Sequence, residues 1–156
     1  MKTKILSTLL FLTGLTSFGQ TVTIQAYLDS IKTVFYNTDD IVIKISSGKK
    51  LASYYTYLNP DSTIYFAQQT IDLAKSKKKL NEQIWSMAIM GEGYMNKANL
   101  PKTLELALEA LEISKNIDSK DVFLGPTYYN LSDLYFQIGD LKKARFYALA
   151  SIEYPR

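Results

Sequence analysis

The sequence predicts an all-α protein, a right-handed α-solenoid built from helix–turn–helix units, and three observations carry that prediction. Three tyrosines, Tyr54, Tyr94 and Tyr135, stand 40 and 41 residues apart and head the same downstream pattern each time. Around them the apolar residues follow the three-and-four spacing of a helix face rather than the alternation of a strand. Asn, Gly and Pro interrupt that spacing once per period, where one helix stops and the next begins.

The elements follow in chain order. Residues 1–19 carry the pattern of a signal peptide: Lys2 and Lys4 precede an apolar run from Ile5 to Leu15, and Ser17 and Gly19 place small residues ahead of a cut before Gln20. The run is well short of the roughly 20 residues that span a bilayer. The expected mature chain is therefore residues 20–156, exported to the periplasm or secreted, with no stable membrane insertion after cleavage. Loss of the two lysines takes the formal charge from +3 to +1.

Residues 20–40 are expected to form an N-terminal capping helix or linker. Tyr27, Leu28, Ile31, Val34 and Phe35 make a helical stripe, with Asp29 and Ser30 near its start. Asn37-Thr38-Asp39-Asp40 then breaks the stripe and can cap the helix that follows. Three two-helix units are expected at about residues 41–79, 80–119 and 120–156. The first turns at Asn59-Pro60-Asp61, with Asp61 or Ser62 as a cap for the helix carrying Ile64, Ala67, Ile71 and Ala74. The second has one face on Ile84, Met87, Ala88, Met90, Gly91, Tyr94 and Met95. Asn99-Leu100-Pro101 breaks it, with Pro101 suited to a first turn, and Leu104, Ala107, Leu108, Leu111 and Ile113 begin the next face. The third runs through Leu131, Leu134, Tyr135 and Ile138, turns at Gly139-Asp140, and continues through Leu141, Ala144, Ala148 and Ile152.

Small residues recur at equivalent places: Thr63, Thr103 and Ala144; Ala67, Ala107 and Ala148; Thr70, Ala110 and Ser151. Three residues before each tyrosine stand Leu51, Gly91 and Ser132. Two helices approach closely only where side chains are small, so this recurrence suits a tightly packed helix pair.

Leu131-Ser132, Tyr135, Gly139-Asp140-Leu141, Ala144, Ala148, Ser151 and Pro155 resemble a tetratricopeptide repeat (TPR). The second unit resembles it through Met90-Gly91, Tyr94, Asn99-Leu100, Ala107 and Ala110, with Ala98 where the family usually has Gly and Thr103 where it usually has Ala. The first unit departs most, keeping Tyr54, Asn59, Ala67 and Thr70. The period is longer than the family's usual 34 or so residues, which implies longer helices, as in its long-period members. The resemblance implies that the first helix of each pair lines a concave groove that binds a protein or an extended peptide.

Helical spacing from the aligned tyrosines places Trp85, Ala88, Glu92, Asn96, Tyr129, Asp133 and Gln137 on that groove, with Trp85 at its edge. Ala52 and Thr56 hold the corresponding positions in the first unit. Asn and Gln can hydrogen-bond a peptide backbone, and Trp and Tyr offer apolar anchors, although aromatics at such spacing also serve simply as packing between repeats. Glu92 and Asp133 are the pair that could act as acid and base or hold a metal, but they are more simply groove charges that select a basic partner.

Composition removes most chemistry. The chain has no Cys and no His, so it has no disulfide, thiolate nucleophile, imidazole base or Cys- or His-type metal site. No cofactor and no enzymatic activity are expected. A net charge of +3 is too weak to argue for nucleic acid. Lys75-Ser76-Lys77-Lys78-Lys79 is best read as cations at a helix C-terminus, where they complement the helix dipole. Gly91-Glu92-Gly93 and Gly48-Lys49-Lys50 lack the spacing and setting of a phosphate loop, and Gly91 suits close helix packing.

At the far end, Phe146, Leu149 and Ile152 meet no later helix in the sequence, which suggests self-association through the C-terminal repeat, docking to another protein, or a shortened version of a longer ancestor. Exported arrays of this kind also resemble the input half of bacterial sensor proteins. The second functional expectation is thus a stand-alone or truncated sensory module that regulates a two-component kinase or a transcriptional regulator.

Overall fold

A computed structural model describes residues 23–118 and 121–154, so the signal-peptide pattern lies outside the described residues. The described residues form seven helices and no strand: α1 (23–37), α2 (Ile41–Tyr55), α3 (Pro60–Ser76), α4 (Leu80–Asn96), α5 (Leu100–Ser114), α6 (Gly125–Gln137) and α7 (Leu141–Glu153). The chain is an all-α helical-repeat solenoid. No described helix is long and apolar enough to cross a membrane.

Local chemistry sets the helix starts. Asp40 accepts from the backbone N–H groups of Val42 and Ile43 at the head of α2, and Asn59, Asn99 and Asp140 each accept from one N–H at the heads of α3, α5 and α7. Asn59 rather than Asp61 or Ser62 caps α3, because Pro60 is already the first helical residue. The helix of residues 23–37 likewise begins well before Asp29.

Packing radiates from α4, which contacts α2, α3, α5 and α6 and buries residues on nearly every side, from Gln83 to Met95. The expected faces shift in α5 and α1, and also at the far end of the array, where Ile138, Leu141 and Ile152 are all more than half exposed. In α5, Leu106 is 4% exposed and Leu108 is 55% exposed, so the inward face is centred on Thr103, Leu106, Ala107 and Ala110 rather than on Leu108. In α1, Leu28, Ile31 and Phe35 are buried, with Phe35 edge-on to Phe66 of α3, whereas Tyr27 and Val34 are exposed.

Within the later two pairs the helices touch at the aligned small residues. The Thr103 hydroxyl of α5 donates to the Gly91 carbonyl of α4 at 2.9 Å, and the Ser132 hydroxyl of α6 donates to the Ala144 carbonyl of α7 at 2.9 Å. A Cβ on Gly91 would stand 3.1 Å from the Asn130 amide nitrogen, so α6 also presses on this point. In the first pair the close approach is displaced: a Cβ on Gly48 would run into the Thr70 hydroxyl of α3 and the Phe35 ring of α1.

Successive pairs are joined by asparagine amides that reach the neighbouring backbone. Asn81 donates to the Asp121 carbonyl at 2.8 Å and accepts from the Phe123 N–H at 3.0 Å. Asn96 donates to the Thr56 carbonyl and Asn130 to the Ala88 carbonyl, each at 2.6 Å. The bonded residues lie 40 or 42 positions apart.

The far face of α7 is bare among the described residues: Phe146, Leu149 and Ile152 are all more than half exposed, and Ala144 is the helix's one buried residue. Around it the tyrosines stack, Tyr147 lying between Tyr128 and Tyr135 at centroid distances of 6.0 and 5.5 Å.

α4 and α6 end alike, on a left-handed residue: Ala98 has φ +56 and Gly139 has φ +84. A side chain in this region costs about 1–2 kcal/mol, partly offset by the greater freedom that glycine loses on folding. Ala98→Gly is therefore expected to stabilise the fold by about 1 kcal/mol, and Gly139→Ala to destabilise it by a similar amount. Urea unfolding of the two variants checks both signs.

Candidate functional site

α4 and α6 run side by side as the first helices of successive pairs, and a cavity of about 300 Å³ opens between them. Trp85 and Glu92 line it from α4; Pro126 and Tyr129 line it from α6, with Phe123 from the segment before α6 and Ser151 from α7. The cavity thus gathers three of the residues that helical spacing places on the groove: Trp85, Glu92 and Tyr129.

Trp85 is half-buried and packs against the core, as a packing residue would. The Lys49 ammonium lies 4.5 Å from its ring centroid and also pairs with Glu82 at 2.6 Å, which ties α2 to α4 at the groove's edge. Tyr129 is 54% exposed, so its ring remains available to a partner. Asp133, one turn further along α6, is half-buried and accepts from the Gln137 amide at 3.3 Å.

Two of the expected groove residues have other employment. Ala88 is 3% exposed and has little surface to offer a partner, because α4 is enclosed at this level and its carbonyl accepts from Asn130. Asn96 is exposed, but its amide N–H is committed to the Thr56 carbonyl, an acceptor left open at the C-terminus of α2. Tyr57, absent from the sequence-based set, stands in the turn after α2 and feels the charges of Glu92 and Asp133. Its distance from both in sequence hides it, and only the stacking of α2 on α4 brings it there.

Glu92 is the unusual group. It has no ion pair or hydrogen bond among the described residues, and burial, reinforced by the negative charge of Asp133, raises its pKa from 4.5 to about 7. Tyr57, beside it, is raised above the ordinary phenol value, first by the Glu92 charge, then by burial, with smaller contributions from Tyr129 and Asp133. No lysine or arginine among the described residues lines the cavity. The site holds aromatic surface and uncompensated negative charge.

A raised carboxyl pKa means that the folded state holds the proton more tightly than the unfolded chain. The fold is then favoured at low pH, loses stability as pH climbs from about 4.5 to about 7, and loses no more above that. The loss is roughly 2–4 kcal/mol. Glu92→Gln, which keeps the shape and removes the charge, is expected to be more stable than the parent at pH 8 and nearly equal at pH 5. Denaturant melts at the two pH values check it, and equal gains at both would contradict the buried-charge account.

The stacked helix pairs form a TPR-like helical-repeat fold. The solved structure of the TPR domain of Arabidopsis FLU shares it, with a TM-score of 0.59 and 22% sequence identity over 70% of this chain and 92% of that chain. Comparison with protein-family models and with curated proteins found no match.

Proposed function

We propose that this chain is a non-catalytic scaffold that binds a protein or an extended peptide along the surface formed by α2, α4 and α6. The observation that carries the reading is the cavity between α4 and α6, where aromatic walls meet polar groups on two successive repeats. Such a site offers area to exclude water and a few polar groups to fix orientation. The fold supports it, since a TPR domain has the same architecture.

The scaffold works outside the cytoplasm. The support is the pattern of residues 1–19, with its two lysines, short apolar run and small residues before Gln20. Fractionation of the producing cells, with sequencing of the purified protein's amino terminus, is expected to give an exported chain beginning at Gln20. A cytoplasmic chain that retains Lys2 and Lys4 would overturn this part of the reading.

The binding surface is tested with a photo-crosslinking residue placed in the full chain at Tyr129 or Gln137, and at Gln69 or Glu109 on the exposed sides of α3 and α5. Crosslinks to a discrete partner are expected from the first two positions and not from the other two. Tyr129→Ala is the matching loss-of-binding variant, since Tyr129 is exposed whereas removal of Trp85 would also open the core. Crosslinks arising only at Gln69 and Glu109 would move the binding surface to the other side of the array.

A further inference from the structure

Glu92 sits where a carboxylate is costly, with no counter-ion among the described residues, in the lining of a cavity that also carries the rings of Trp85, Tyr129 and Phe123. We propose that this cavity is a subsite for one cationic side chain, arginine or lysine, of a bound extended peptide, the charged head beside Glu92 and Asp133 and the stem along Trp85 and Tyr129. The inference rests on the peptide-binding reading above and specifies its chemistry.

Four observations converge. The volume of about 300 Å³ is ample for one long side chain. Its aromatic lining, Trp85, Tyr129 and Phe123, gives a methylene stem apolar contact and a cation ring faces to lie against. The negative charge comes from Glu92 in the α4 wall and from Asp133, which lies on α6 outside the lining but close enough to act on Glu92, so a cation beside both would relieve their mutual repulsion. The nearby lysines are already engaged: Lys49 with Glu82 and the Trp85 ring, Lys97 with Asp61. Among the described residues no cation acts on Glu92 or lines the cavity.

An anionic or purely apolar occupant fits poorly. An anion would meet Glu92 and Asp133 head-on, and an apolar group would leave the Glu92 carboxylate buried and unpaired.

Proton linkage adds a signature that contact area alone would not give. Among the described residues, the titratable groups near Glu92 are Asp133 and Tyr129 of α6 and Tyr57 after α2, none of them cationic. Glu92 holds its proton up to about pH 7, and a cation would displace it. Binding should therefore tighten as pH rises, by about tenfold or more between pH 5.5 and pH 8.

The test uses fluorescence-labelled Gly-Gly-X-Gly-Gly peptides with capped ends, where X is arginine, lysine, citrulline or norleucine, titrated into the mature chain. Arginine and lysine peptides are expected to bind at least tenfold tighter than the citrulline and norleucine peptides at pH 8. Glu92→Gln should erase most of that preference and flatten its pH dependence, and Asp133→Asn should weaken it several-fold. Equal binding of the four peptides, an unchanged preference in Glu92→Gln, or no binding of any of them at millimolar concentration would each overturn the cation subsite. None of these results touches the broader reading, which stands or falls on where the photo-crosslinks form.

Discussion

Close approach within each helix pair is the constraint on which the rest of this structure depends. At each of the later two crossings a hydroxyl on one helix donates to a carbonyl on the other, and the accepting residue carries at most a methyl group. Thr103 bonds to Gly91 in one pair, and Ser132 bonds to Ala144 in the next. The donor sits on the second helix in the first case and on the first helix in the other, so what repeats is the requirement and not the residue. A larger side chain at the acceptor would separate the axes and break the bond together. Where the first pair has Leu51 and Thr63 at these places, both fully buried, the tight contact moves one turn back to Gly48.

Fixing the pairs also fixes how they stack. Once α4 and α5 are drawn together, α6 lies against both, and Asn130 enters the seam to reach a carbonyl of α4. Asn81 and Asn96 do the same at the ends of α4, one toward the segment before α6 and the other back toward α2. Asn81 and Asn96 use groups that helix ends and turns leave open, whereas Asn130 reaches the mid-helix Ala88 carbonyl and leaves its own buried Oδ1 without a partner among the described residues. Asn81 and Asn130 also tie the α4 wall of the α4–α6 cavity to the α6 side, which is what a binding site on a repeat array needs.

The class of fold was legible in the sequence because it is written in periodicity, and periodicity survives substitution. The aligned tyrosines and small residues led to the helix pairs, and Gly91 was readable as a packing glycine. What could not be read is the rotation of each helix by a fraction of a turn. Leu106 and Leu108 are equally apolar and two positions apart, yet only Leu106 is buried, because the Thr103 crossing decides which side of α5 faces inward. The same limit applies to the groove. Spacing placed Ala88 and Asn96 beside Glu92, but the asparagine bridges that engage both are contacts between residues 40 or more positions apart. Tyr57 was invisible for that reason too. The packing role of Gly48 is not legible from its neighbours Ser47 and Lys49, since nothing near it in sequence reveals Thr70 opposite it.

Glu92 runs against the economy seen elsewhere in the chain. Around it, buried polar groups are mostly satisfied within the protein: Thr70 bonds to Phe66, Ser86 to Glu82, Thr103 to Gly91. A glutamine at 92 would keep the helix and the volume while removing the charge, so packing alone gives no reason for a carboxylate there. Asp133 on the facing helix makes the charge dearer still. Strain of this sort is retained where it does something the relaxed alternative cannot. Here the relaxed alternative would lose the one feature that distinguishes an aromatic cleft able to hold a cation from one that holds any apolar side chain. The instability of the empty groove and the selectivity of the filled one are then two aspects of a single carboxylate.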